Sequence, residues 1–119
     1  MQTLPIWTIV AILFAHWMAD FVAQTDQMAK NKSTSMRWLS SHVMAYGAFV
    51  AVMLIVLLGK LPLIWLLVNV LLHGCVDFVT SRITSRLYRA GETHWFFVVI
   101  GFDQFLHTSM LLVTAVYLF

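Results

Sequence analysis

Residues 61–81 read LPLIWLLVNVLLHGCVDFVTS, an apolar run with no Lys or Arg that carries one acidic residue, Asp77, four positions after His73. At about 1.5 Å of rise per residue, a helix of this length crosses about 30 Å of hydrocarbon. Four residues is slightly more than one helical turn, so His73 and Asp77 project from one face, close enough to grip one ion. The run therefore reads as a membrane-spanning helix that carries chemistry.

The same spacing recurs twice, as His16/Asp20 and Asp103/His107, and His42 adds a seventh candidate ligand. Around these pairs the chain is 61% hydrophobic and 10% charged over 119 residues, too apolar for a soluble domain. Four segments have spanning length, about 4–23, 39–59, 61–81 and 95–118. The fold expected is all-α: one polytopic membrane domain, residues 1–119, built as a four-transmembrane-helix bundle. The first segment lacks the basic start and small-residue cleavage site of a signal peptide and carries His16 and Asp20, so it reads as a mature helix.

Charge placement gives an orientation. Lys30, Lys32 and Arg37 flank the first connection, and Arg82, Arg86 and Arg89 the third, whereas the second has only Lys60. The positive-inside rule puts the first and third connections in the cytoplasm and both termini on the outer side. Trp7 and Trp65 then fall at outer helix ends and Trp38 and Trp95 at inner ends, as an aromatic belt. Asp26 is placed to cap a short interfacial helix in the first connection. Gly59-Lys60-Leu61-Pro62 reads as a tight helix-to-helix turn. The third helix is expected to run on past the membrane with a basic face, to end at Gly91, and to be followed by a helix capped by Thr93. The lone Cys75 says nothing of redox compartment. No basic stripe with interleaved aromatics suits nucleic acid.

His16-Trp17-Met18-Ala19-Asp20-Phe21-Val22 and His73-Gly74-Cys75-Val76-Asp77-Phe78-Val79 share the pattern HxxxDFV. Each is followed by a return helix with a further histidine, His42 or His107, so the bundle divides into two similar helical hairpins. All seven His and Asp residues fall in the cytoplasmic half. An unpaired Asp at the bilayer centre costs about 2.5–3.5 kcal/mol, so three would cost roughly 8–10 kcal/mol. No Lys or Arg is expected deep enough to pair with them, which leaves protonation, protonated histidine or bound metal. Imidazole and carboxylate suit one or two divalent transition ions, zinc first and manganese or iron as alternatives. The competing readings are a proton or ion pathway through the same residues and a polar seam that packs helices. Asn69 and Tyr46 are candidate supports for the ligands, with helix packing as their plainer role.

The run from His16 to Lys32, HWMADFVAQTDQMAKNK, together with His42, the second HxxxD and Asp103-Gln104-Phe105-Leu106-His107, resembles a family of small membrane proteins of bacteria and their phages, the domain of unknown function 3307. The resemblance covers almost the whole chain and carries no activity. It implies that Gln24, Asp26, Lys30, Asn31 and Lys32 belong with the ligands, as a lid or substrate contact. A looser likeness, to small membrane proteins described as metal-dependent hydrolases, is analogy only.

The leading expectation is a metal-dependent hydrolase acting on a lipid, ester or phosphoryl substrate at the cytoplasmic leaflet. His16, Asp20, His42, His73, Asp77, Asp103 and His107 would hold metal, with a non-bridging carboxylate among Asp20, Asp77 and Asp103 as proton acceptor. Gln24, Asp26, Lys30, Asn31, Lys32, Arg82 and Arg86 would meet the headgroup of a membrane lipid. Alternatives are a metal or proton transporter, a diiron or dimanganese redox centre, and a bundle stapled by structural metal. A homodimer is a further expectation for so thin a bundle.

Overall fold

The computed structural model describes residues 1–119, which form five α-helices and no strand. They are α1 (Ile6–Trp17), α2 (Asp26–Asn31), α3 (Met36–Leu58), α4 (Leu63–Arg89) and α5 (Thr93–Leu118), with a π-helical turn, Met18–Val22, extending α1. Three of them, α3, α4 and α5, are long and apolar enough to cross a membrane, while the helical stretch Ile6–Val22 is shorter.

Local chemistry sets the ends. Ser35 caps α3 by accepting from the Trp38 backbone N–H at 3.4 Å, and Gly59 closes it in the left-handed conformation, φ 67°, which a side chain would strain. Pro62 precedes α4, so the expected tight turn is present. Arg86 and Arg89 lie in the last turn of α4, where cations suit the helix dipole. Gly91, φ 72°, then ends the helix, with the Glu92 N–H bonded to the Leu87 carbonyl at 3.0 Å.

Two expected caps shift by one residue. Thr25 caps α2, its Oγ1 accepting from Met28 N–H at 3.2 Å, and Asp26 is the first helical residue, where its charge favours the positive helix end. Glu92 precedes α5, and Thr93 is already helical and caps nothing.

The long elements form a ring in the order α1, α3, α4, α5, each packed on two neighbours, and across both diagonals the backbones stay more than 8 Å apart. Overall extents are 44 × 26 × 20 Å. At the end formed by the start of α1 and α4 and the end of α3 and α5, Ile12, Leu54, Trp65, Leu111 and Ala115 make an apolar core. Trp65 belongs to that core and not to an aromatic belt: it is fully buried, and its indole N–H donates to the Leu111 carbonyl at 3.0 Å. An indole whose polar atom finds a carbonyl inside the bundle has no need of the membrane interface. Close approach of α3 and α4 depends on Gly47, where an added Cβ would lie 2.8 Å from a Val70 methyl. The outward faces carry Val10, Phe14, Val52, Val56, Leu71, Phe105 and Val113, an apolar coat too extensive for a monomer in water.

Candidate metal centre

The polar residues gather at the opposite end from Trp65. Asp20 sits in the π-helical turn, His42 one to two turns into α3, His73 and Asp77 one turn apart on α4, and Asp103 and His107 one turn apart on α5. A π-helical turn carries one residue more than an α-turn and re-aims the side chains that follow. Its signature is the Ala23 N–H bonded to the Met18 carbonyl, five residues back, at 2.9 Å.

Four atoms from three elements converge. His42 Nε2 lies 3.1 Å from His73 Nε2, 3.1 Å from Asp20 Oδ1 and 3.1 Å from Asp77 Oδ2. His73 Nε2 lies 3.5 Å from Asp20 Oδ1 and 3.4 Å from Asp77 Oδ2. All four residues are buried, at 1–4% exposure. A tetrahedral ion with bonds of about 2.0–2.1 Å places its ligand atoms about 3.3 Å apart. The five separations above lie around that value. Two imidazole Nε2 atoms facing each other between two carboxylates also conflict as a hydrogen-bonded set, because each neutral ring has at most one N–H to share. The donor set fits a divalent transition ion.

The remaining expected ligands surround this set. His107 Nε2 is 3.6 Å from Asp77 Oδ1 and its Nδ1 is 3.4 Å from Asp103 Oδ2, and neither nitrogen has a hydrogen-bond partner. Asp103 is held by Thr80 Oγ1, which donates to Oδ1 at 2.6 Å, and by Gln104 Nε2, which donates to Oδ2 at 3.1 Å. His16 stands apart from the four atoms: its Nδ1 shares a hydrogen bond with the Tyr46 hydroxyl at 2.9 Å, and its Nε2 shares one with Gln104 Oε1 at 2.9 Å. The His73 ring is stacked between Tyr46, 3.8 Å away, and His107, 4.3 Å away. Its Nδ1 and that of His42 are buried without a hydrogen-bond partner, so packing holds both rings.

One expectation fails outright. Lys32 does reach a buried carboxylate: its Nζ donates to Asp77 Oδ2 at 3.2 Å, with the lysine side chain 18% exposed. The connection carrying α2 folds back against α3, and the long lysine stem carries the ammonium inward. Asn69 supports no ligand. Its amide donates to the Trp65 carbonyl and, at 2.8 Å, to Thr114 Oγ1, tying α4 to α5 on the apolar side. Cys75 is exposed, and so is His94, which packs on Trp95.

A cavity of about 490 Å³ opens beside the cluster, with Asp20, Asp77 and Asp103 in its lining. Of the residues expected at a headgroup, Gln24, Lys30 and Lys32 line it, and Asp26, Asn31, Arg82 and Arg86 do not. Asn31 is turned to Gln27, and Arg82 donates to the Phe78 carbonyl while lying 3.6 Å over the Phe78 ring. Arg89 takes the place expected of Arg86. Gln104, a neighbour of Asp103 in the sequence, bonds to His16, Asp20 and Asp103, and Thr80 and Ser81 join the site without a sequence expectation. Thr80 and Ser81 stand three and four residues after Asp77, on the same face of one helix, which was the available signal for both.

Residues 8–119 match the family described as Protein of unknown function (DUF3307), and the chain belongs to that family. No curated protein and no solved structure matches it.

Proposed function

We propose that this member of the DUF3307 family is an integral membrane metalloprotein, with a zinc ion between Asp20, His42, His73 and Asp77, that hydrolyses a lipid ester or phosphoryl bond at the cytoplasmic leaflet. The observation that carries the reading is four buried ligand atoms within 4.8 Å of one another, five of their separations being 3.1–3.5 Å, near those around a tetrahedral ion. Ile6–Val22 serves as a fourth, short crossing, about 25 Å long, which thinning of the bilayer or flanking residues accommodate. The basic ends of α2 and α4 lie on the cytoplasmic side, with both termini outside.

Four protein ligands close a tetrahedral site, so the bound ion would supply an activated water and polarise the oxygen of the scissile bond by expanding to five ligands. Asp103, outside the four-atom set but on the cavity, is the carboxylate left to take a proton from that water; Thr80 and Gln104 hold it in place. Asp20 and Asp77 are engaged as ligands in this arrangement and are ill placed to serve as base. Lys32 offsets part of the negative charge at Asp77. The apolar core around Leu54, Trp65 and Leu111 fills the far half of the bundle, which favours a one-ended site over a transmembrane pathway.

Metal analysis by plasma mass spectrometry tests the reading on full-length protein purified in mild detergent without tag histidines. One equivalent of zinc per chain is expected, absent from the His73→Ala/Asp77→Ala variant. Wild-type protein that holds no stoichiometric transition metal after supplementation would overturn it.

A further inference from the structure

The cavity beside the cluster joins two kinds of lining. Toward α2 and the end of α4 it presents Lys30, Lys32 and Arg89 with the hydroxyls of Ser33, Ser81 and Ser85, and toward the bundle exterior Phe21, Tyr88, Phe96 and Ile100. Ser81 is an independent pointer. It is 6% exposed, it lines the cavity, and its Oγ is buried with no hydrogen-bond partner. A buried hydroxyl without a partner is costly unless a ligand supplies one.

Charge narrows the ligand. Lys30, Lys32 and Arg89 balance Asp20, Asp77 and Asp103, so the lining is neutral by formal charge. A divalent ion at the four-atom set would leave two positive charges in excess. It would also take up Asp77 Oδ2, the oxygen that now holds Lys32, freeing the ammonium to face the cavity. An excess of two positive charges among N–H and O–H donors suits a phosphate dianion, which offers acceptor oxygens only.

We infer that this cavity binds a phosphomonoester group, with Lys30, Lys32, Arg89 and Ser81 as donors to its free oxygens. The aromatic side accepts the apolar part of an amphiphile. This inference rests on the metal reading above and names the substrate class for it.

Isothermal titration calorimetry on the zinc-loaded full-length protein in detergent provides the test, using inorganic phosphate and short-chain phosphatidic acid as probes and short-chain phosphatidylcholine as control. Saturable binding of phosphatidic acid, and none of phosphatidylcholine, is expected. Lys32→Gln and Arg89→Gln should each weaken it about tenfold, the usual scale for losing one charged hydrogen bond. Lys30 is exposed, so Lys30→Gln leaves folding intact and should still weaken binding several-fold. Binding of phosphatidic acid alone assigns a lipid headgroup, and binding of both probes assigns the phosphate group itself; either supports the inference. Protein that holds its zinc yet ignores both probes overturns this inference alone, as do variants that bind as wild type or equal binding after zinc is stripped. Protein that takes up no zinc overturns the metal reading and this inference with it.

Discussion

The two HxxxDFV copies are alike in sequence and unlike in backbone. The second lies within regular α4, where His73 and Asp77 both enter the four-atom set, 3.4 Å apart. The first crosses from α-helix into the π-helical turn, which leaves His16 Nε2 3.9 Å from Asp20 Oδ2 and sends the two side chains on separate errands. Asp20 goes to His42 and His73, and His16 goes to Tyr46 and Gln104. A chelate spacing thus states which residues can share a face, and one extra residue in a turn decides whether they do. The return helices break the symmetry in the opposite sense: His42 completes the set, whereas His107 stands 3.6 Å from Asp77.

The largest expected effect separates the two histidines of the motif. His73→Ala removes a ligand and should abolish tight zinc binding, while His16→Ala removes an outer contact and should cost at most about 10–100-fold in affinity, the range seen for outer groups. Competition against a chelator of known affinity measures both. Equal losses would return His16 to the metal and break the contrast.

Next comes the lysine that only the second copy holds. In zinc-stripped protein, Lys32→Gln leaves Asp77 without its ammonium partner and should lower stability by about 3 kcal/mol. In zinc-loaded protein the ion compensates that carboxylate, so the same substitution should cost under about 1 kcal/mol. Thermal unfolding in detergent, with and without zinc, reads the difference. An identical cost in both states would show that the ion and the ammonium do not share Asp77.

The smallest expected effect is at the tyrosine serving the first copy. Tyr46→Phe keeps the ring stacked on His73 and deletes only the hydroxyl bonded to His16, so stability should fall by about 1 kcal/mol. Zinc affinity should stay within a few-fold. A much larger loss of affinity would place His16 closer to the ion than its separation implies.

Hydropathy made most of the fold legible, because a run of spanning length such as 61–81 has few other uses, and Gly59 and Pro62 punctuate the chain unambiguously. The residues of the four-atom set were legible for the same reason, since His42, His73 and Asp77 stand out against Leu, Val and Phe. The π-helical turn was not, because five residues of mixed character fit either winding, and neighbouring helices decide between them. Nor was the Lys32 contact. Depth counted along the chain ignores both the fold-back of α2 and the reach of a lysine side chain. Trp65 misled because an indole at a helix end suits an interface and a core equally well, and only the Leu111 carbonyl distinguishes them. Gln104 reads in sequence as a neighbour of Asp103; its role comes from α1 lying opposite, which no spacing within α5 reveals.

The open diagonals of the ring bear on how the cluster is put together. Because the backbones of α1 and α4 stay apart, Asp20 reaches His73 through the bundle centre and not along a close helix seam. Within the stretch from α1 to α3 alone, His42 stands 3.1 Å from Asp20, so that acidic group has a polar companion that depends on no later part of the chain. Asp77 likewise arrives on the same helix as His73. Each half of the chain thus brings a histidine partner for its own buried acid, and the two pairs join into one cluster only where the halves pack.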